Sequence, residues 1–242
     1  MYREVRKCFS AHWQADVYKS PVSNVSPLTG TRGVTNGRFQ MFVKASPQGG
    51  ALIRNARLYM KQGQFYFITN EFYKIHDKEK KLMQNKETID GISRDRPCFY
   101  AFPDRNNAAV LWCVPISSKI DKYKGIYNKK IENQRQRGVK NPKCNTICFG
   151  EVMGRERAFL IQNMFPITKT YIAGVYINKA THSVVRISEL TEKEIIENAL
   201  QILKLVFHGN TRLVFSDIIT TYKTLNAELG AEQSKQNMPK NK

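Results

Sequence analysis

The chain has 242 residues, with 39 Lys and Arg against 20 Asp and Glu, which gives a formal net charge of +19 and a pI near 9.8. That excess goes beyond what solubility requires and favours polyanionic partners, nucleic acid first and an anionic membrane surface second. No run approaches the roughly 18 apolar residues of a membrane-crossing helix, and the N-terminal order is not that of a signal peptide, so a cytoplasmic protein without membrane partners is expected. A hydrophobic content of 41%, with 13 Phe and 11 Tyr, is enough for a packed core in one or two domains. Five cysteines (Cys8, Cys98, Cys113, Cys144 and Cys148) fit a reducing compartment better than a disulfide framework. Cys144 and Cys148 are the one close pair, and no second Cys or His pair lies at a finger-like distance, so neither a metal nor a cofactor is expected.

Residues 1–59 mix Pro, Gly, Ser, Thr and Asn without a sustained period of 2 or 3.6, as in Ser20-Pro21-Val22-Ser23-Asn24-Val25-Ser26-Pro27. They read as a poorly structured basic arm ahead of a folded domain over 60–230, with a flexible basic tail over 231–242. Met60, followed by a short polar lead, reads as the natural start of translation.

In chain order, Phe65 to Thr69 reads as a strand, and Glu71 to about Asn85 as a helix with Phe72, Ile75 and Leu82 on one side. A charged loop then leads to a strand at Pro97–Phe102, a turn at Asp104-Arg105-Asn106-Asn107 and a strand at Val110–Ile116. Asn145–Val152 and Ala158–Gln162 pair around a turn at Gly154. Tyr171–Ile177 and Val184–Ile187 read as short strands. The clearest helix spans Thr191 to about Phe207, with a Thr191-Glu192-Lys193-Glu194 capping box and Gly209 as its stop. Ile195, Ala199, Ile202, Leu203 and Val206 form its buried stripe. A helix from Ile218 to Leu229 closes the pattern. Many short strands at hairpin spacing predict an α+β protein built on a small antiparallel β-barrel.

The chemistry concentrates where the Val110–Val114 strand ends. Two hydroxyls, Ser117 and Ser118, follow it and open into nine basic residues: Lys119, Lys122, Lys124, Lys129, Lys130, Arg135, Arg137, Lys140 and Lys143. Tyr123 and Tyr127 are interleaved. Cations follow a phosphate backbone while aromatic faces stack on unpaired bases, each worth about 1–3 kcal/mol, so single-stranded nucleic acid fits this mixture better than duplex. The bland alternatives are a solvated charged helix and serines that cap it. No Gly-x-Ser-x-Gly elbow supports acyl transfer. On RNA the serine need not be the nucleophile, because the substrate carries its own 2′-hydroxyl and asks the protein only for alignment, charge neutralisation and proton transfer. The histidines are too scattered for a paired-imidazole mechanism: His76 reads as a surface residue and His208 as a C-terminal cation of its helix.

Four segments in this order carry a resemblance: Phe65-Tyr66-Phe67-Ile68, Arg96-Pro97-Cys98-Phe99-Tyr100, Val114-Pro115-Ile116-Ser117-Ser118-Lys119 and Phe159-Leu160-Ile161-Gln162-Asn163-Met164-Phe165-Pro166-Ile167. Together they resemble the toxin component of type III toxin–antitoxin systems, the ToxN/AbiQ family and its CptN-like branch, over about Met60 to Leu229. The resemblance implies a MazF/Kid-like barrel elaborated with helices. It also implies metal-independent, sequence-selective cleavage of single-stranded RNA to 2′,3′-cyclic phosphate ends. Cellular or phage mRNA would be the substrate, and repeats of an RNA antitoxin, processed by the toxin, would inhibit it within a closed RNA–protein assembly. The family motif after the central strand reads Pro-Leu-Thr-Ser-Pro-Lys. Ser117 and Ser118 match its hydroxyls, while its lysine falls between Lys119, one position early, and Lys122, two late. Arg96 stands where the family has a second lysine and implies phosphate binding rather than proton shuttling. Since antitoxin repeats precede the toxin gene in such loci, residues 1–59 are expected to correspond to upstream sequence. Two alternatives stay open: a non-catalytic single-stranded RNA-binding protein and a DNA-binding accessory protein, the latter without a helix-turn-helix pattern.

Overall fold

The computed structural model describes residues 60–89 and 92–236. The expected arm over 1–59 and the last residues of the expected tail, 237–242, lie outside the described residues. Nine strands are described: β1 Phe65–Ile68, β2 Lys86–Ile89, β3 Ile92–Asp95, β4 Cys98–Pro103, β5 Val110–Ser117, β6 Cys148–Val152, β7 Arg155–Phe159, β8 Phe165–Thr168 and β9 Ile172–Val175. The helices are α1 Asn70–His76, α2 Ile120–Gln136, α3 Glu189–Phe207 and α4 Ile218–Gln236. The β2–β3 hairpin stands by itself, and the other seven strands form one antiparallel sheet in the order β6-β7-β5-β4-β1-β9, with β8 also on β5.

The fold is α+β, but the sheet is not closed. Its path ends at β6 and β9, which do not pair with each other, so the closure expected of a barrel is not seen among the described residues. The sheet forks instead. One stretch of β5, Val110–Cys113, pairs with β8, and its end, Ile116 and Ser117, pairs with β7. Between these pairings the Leu160 N–H donates to the Pro115 carbonyl at 3.0 Å, and a 3₁₀ turn over Ile161–Asn163 diverts the chain before β8 begins. β8 was read from the sequence only as part of a family motif, because its proline and short length mask a strand.

The strands alternate, and each face has its own core. Phe65, Phe99, Trp112, Val114, Ile116 and Phe159 pack with Ile195, Ala199, Ile202, Leu203 and Val206 of α3. Tyr66, Cys98, Tyr100, Leu111, Cys113 and Phe165 pack on the other face with Phe72 and Tyr73 of α1 and Leu225 of α4. A bulge between Tyr100 and Phe102 resets the register so that Ala101 and Phe102 both enter the first cluster. Ile147, Ala158 and Leu160 make a third cluster under α2. The expected α3 stripe is therefore core, residue for residue.

Boundaries shift for local reasons. The helix predicted to about Asn85 stops at His76, because the Asp77 carboxylate accepts from the Lys81 and Leu82 N–H groups at 2.7 and 3.0 Å and from Gln84 Nε2 at 3.0 Å. That local alternative outcompetes another helical turn. Leu82 is still buried, but Ile75, expected on the apolar side, is 41% exposed. The expected charged loop contains the β2–β3 hairpin. Val184–Ile187 is not a strand; only an isolated Ile177–Val184 bridge forms. α3 begins one turn before the expected capping box: Ser188 Oγ, not the Thr191 hydroxyl, caps it by accepting from Thr191 N at 3.2 Å. Gly209, at φ +100°, stops it as expected. Where α3 crosses β6, a Cβ at Gly150 would lie 2.5 Å from Thr191 Cγ2, so the close approach needs glycine. α4 runs to Gln236 instead of ending at Leu229, so the tail is helical for its first residues.

His76, expected at the surface, is buried to 2% of its side chain between Phe72 and Tyr171, with Nε2 3.4 Å from the Glu228 carboxylate of α4. Tyr171 Oη donates to the same carboxylate at 3.0 Å. Burial lowers the His76 pKa from its usual range, and Glu228 only partly opposes this. An imidazole kept neutral in the fold binds fewer protons than the unfolded chain, so its contribution is present above about pH 6.5 and is lost as pH falls through the depressed value. Urea unfolding is expected to show stability falling from about pH 7 to about pH 5.5, with a shallower slope in His76→Phe.

Candidate functional site

The pocket is built where β5 ends. Its register with β7 pairs Ile116 with Phe159 and Ser117 with Ala158, and continuing that register by one residue on each chain brings Ser118 level with Arg157. Side chains alternate across a strand, so Ile116 and Ser118 share the face of Arg155 and Arg157, while Ser117 points the other way. β6 and β7 are joined by Met153 and Gly154, both at positive φ, in the geometry of a tight hairpin turn. The turn expected at Gly154 is thus present, and it brings Val152 and Arg155 together at the pocket rim.

A second wall comes from β3 and the start of β4. Arg96 is buried, its N–H donating to the Asn85 carbonyl and its Nη1 to the Gln84 carbonyl, both at 2.6 Å. These bonds fix its guanidinium against the segment that Asp77 organises. Arg94, two residues earlier, contributes a further cation. The result is a cavity of about 380 Å³ in which Ser118 and Ile116 meet Arg94, Arg96, Arg155 and Arg157, with Asp95 and Tyr176 at its margin. Four arginines and one aspartate contribute to the lining, a balance that favours anions, and arginine presents its donors as a planar fork suited to phosphate.

No family model matches the chain, and no curated protein matches it in sequence.

The predicted site residues separate. Ser118 and Arg96 lie in the cavity. Ser117 is 1% exposed and accepts from the Lys119 N–H at 3.2 Å, so it shapes the turn into α2. Lys119 is the exposed N-cap of α2, and Lys122 is exposed with its ammonium 5.6 Å from the Tyr123 ring centre; neither lines the cavity. Arg155 and Arg157, which the sequence reading did not single out, line the cavity instead. The signal was the repeated Arg-x-Arg spacing of Arg94-Asp95-Arg96 and Arg155-Glu156-Arg157, which puts both members of a pair on one face of a strand.

The basic segment is a helix, and its residues differ in role. Tyr123 is 8% exposed in the cluster under α2, so its ring has no face for a base. Lys130 turns inward: Nζ donates to Thr146 Oγ1 and Gln162 Oε1, both at 2.7 Å, and burial lowers its pKa. It is a strut rather than a phosphate contact. Lys124 pairs with Glu156 at 2.7 Å on the outer face of β7. Tyr127 is half-buried with its ring 5.7 Å from Phe149. Lys129, Arg135, Arg137, Lys140 and Lys143 are exposed. Arg135 and Lys143 share a groove with Tyr127 at the far end of α2.

Cys144 and Cys148 point into different clusters; Cys144 Sγ contacts Thr146 Oγ1 and Cys148 Sγ accepts from Asn198. Burial pushes the Cys148 thiol up to about 12. Among the described residues no group of three His, Cys, Asp or Glu side chains converges, and no helix is long and apolar enough to cross a membrane.

Proposed function

We propose that this protein is an endoribonuclease that cleaves single-stranded RNA through the substrate's own 2′-hydroxyl. The observation that carries the proposal is a cavity lined by Ser118 together with four arginines. The 2′-oxygen attacks the adjacent phosphorus, the bond to the 5′-oxygen breaks, the departing 5′-oxygen takes a proton from solvent water, and a 2′,3′-cyclic phosphate and a 5′-hydroxyl result. Ser118 and Arg157 donate to the non-bridging oxygens, where negative charge accumulates, and Arg96 neutralises the phosphate from the opposite wall. Arg94 and Arg155 hold flanking phosphates. The 2′-hydroxyl proton passes to solvent water. The guanidiniums supply the positive charge, so the reaction is proposed to be metal-independent.

The resemblance to ToxN/AbiQ toxins extends this reading. The open sheet then corresponds to a MazF/Kid-like barrel carrying extra helices, and the protein acts in the cytoplasm as the toxin of a type III system. Repeats of an RNA antitoxin would be its processed product and its inhibitor in a closed RNA–protein assembly.

One observation favours a second reading, a non-catalytic single-stranded RNA-binding protein: arginine cannot exchange a proton near neutrality, and the cavity lining holds no lysine or histidine. Incubating the purified protein in EDTA with the transcript of its own upstream region separates the two. Discrete cuts with cyclic phosphate ends, slowed by about 10²–10³-fold in Ser118→Ala, are the expected result. Intact RNA that shifts on a gel supports the binder instead.

A further inference from the structure

The second groove lies at the far end of α2, roughly 15–20 Å along the helix from Ser118 at 1.5 Å per residue. It encloses about 880 Å³ and is lined by Tyr127, Asn128, Ile131, Arg135, Asn141 and Lys143, with Glu132 and Pro142 at its sides. The groove is shaped by hydrogen bonds and not by chance contact of loops. Gln134 Nε2 donates to the Lys143 carbonyl at 2.8 Å, its Oε1 accepts from the Lys143 N–H at 3.1 Å, and its own carbonyl accepts from Val139 N at 3.0 Å. Gly138, at φ +77°, makes the reversal that returns the chain alongside the helix. The 137–143 loop is thereby fastened parallel to the last turns of α2.

The lining combines three chemistries. Tyr127 is held at an angle by its edge contact with Phe149, and with Ile131 it offers an apolar, partly aromatic surface. Asn128 and Asn141 are exposed amides, each with a donor and an acceptor, as base edges demand. Arg135 and Lys143 supply cations at the rim, and Arg137 and Lys140 extend them along the exposed loop. From 127 to 143 the basic residues are Lys129, Lys130, Arg135, Arg137, Lys140 and Lys143, against Glu132 alone. Lys130 is turned inward and Arg135 lies 3.7 Å from Glu132 in an exposed pair that a phosphate can displace, so Lys129, Arg137, Lys140 and Lys143 join Arg135 in facing a polyanion.

We propose that this groove is a second binding site for single-stranded RNA, remote from the cleavage pocket, in which an unpaired base packs on Tyr127 and Ile131 and is read by Asn128 and Asn141. Arg135 and Lys143 hold the neighbouring phosphates. The proposal rests on the reading of the protein as an RNA-binding ribonuclease, and it adds that selection of sequence takes place several nucleotides away from the cut. A stacking wall tolerates every base, while the two amides distinguish them by hydrogen-bond pattern.

The test uses the full chain and fluorescein-labelled 12-nucleotide oligo(A), oligo(C) and oligo(U), 2′-O-methylated throughout so that they cannot be cut, with binding followed by anisotropy at several salt concentrations. The groove-cation variant Arg135→Ala/Lys143→Ala is expected to bind each oligomer at least tenfold more weakly, with the logarithmic salt slope reduced by about 0.7 for each phosphate that is no longer neutralised. Asn128→Ala/Asn141→Ala is expected to keep the salt slope and narrow the affinity differences among the three oligomers. All four positions are exposed, and circular dichroism checks that the variants fold. Wild-type affinities and base preferences retained in both variants would overturn the second site while leaving the RNA reading intact. A wild-type protein that binds none of the oligomers overturns both.

Discussion

Arg157→Ala is expected to lower kcat/KM for RNA cleavage by about 10²–10³-fold while changing stability by less than about 1 kcal/mol. The expectation follows from the register of β5 on β7. Ser117 pairs with Ala158, so alternation puts Arg157 on the same face as Ser118, and both line the cavity. Removing a donor aimed at developing negative charge costs more in the transition state than in binding, so kcat should carry most of the loss. Arg157→Lys is expected to recover part of the rate, because the charge returns without the planar fork. Lys124→Ala is the contrast. It breaks the pair with Glu156, which belongs to the opposite face of β7, and an exposed pair of that kind contributes little. Cleavage by the lysine variant should stay near the wild-type rate. Wild-type kcat in Arg157→Ala would remove this arginine from the chemistry and leave the cavity as a binding pocket.

The two faces of β7 also show how much of the site could be read from sequence. Ser118 and Arg96 were accessible because each adjoins a strand whose apolar run is unmistakable, so their places follow from counting alternate residues. Arg155 and Arg157 sit in a strand with only Ala158 and Phe159 as apolar markers, and the charges in between resemble an ordinary solvated hairpin. Their significance depends on β7 lying beside the end of β5, a pairing across about forty positions that no local pattern encodes. Tyr123 and Lys130 fail for the converse reason. Composition counts them as a base stacker and a cation, but α2 turns both toward Ile147, Thr146 and Gln162, and which face of a short polar helix docks is decided by its neighbours. In the fold, α3 was legible because its apolar stripe has the helical period over its whole length. The end of α1 was not, because Asp77 acts through its side chain on backbone groups four and five residues ahead.

Asp104→Ala is expected to lower unfolding free energy by about 3–5 kcal/mol, the largest stability effect anticipated for a single residue away from the pocket. The turn at Asp104-Arg105-Asn106-Asn107 is where the sequence placed it, but its carboxylate reaches much farther. Asp104 is 8% exposed, and its Oδ1 accepts from the N–H groups of Asn106 and Asn107 at 2.9 and 3.2 Å and from Tyr222 Oη at 2.9 Å. Its Oδ2 accepts from Trp112 Nε1 at 3.0 Å. One side chain thus ties the β4–β5 turn, a fully buried indole of the central strand and the first half of α4. Tyr222 stacks on Trp112 with centroids 6.0 Å apart, and its hydroxyl is raised to about 12, first by burial and then by Asp104, so it stays a donor across the usable pH range. Truncation to alanine strands the fully buried indole donor and takes the acceptor from the half-buried Tyr222 hydroxyl. Asp104→Asn keeps an acceptor for one of them and is expected to cost less, about half as much. Urea midpoints followed by tryptophan fluorescence measure both variants. A loss below about 1 kcal/mol in the alanine variant would mean that α4 is held by its apolar contacts alone, with Leu225 and Ile218 as the next residues to truncate.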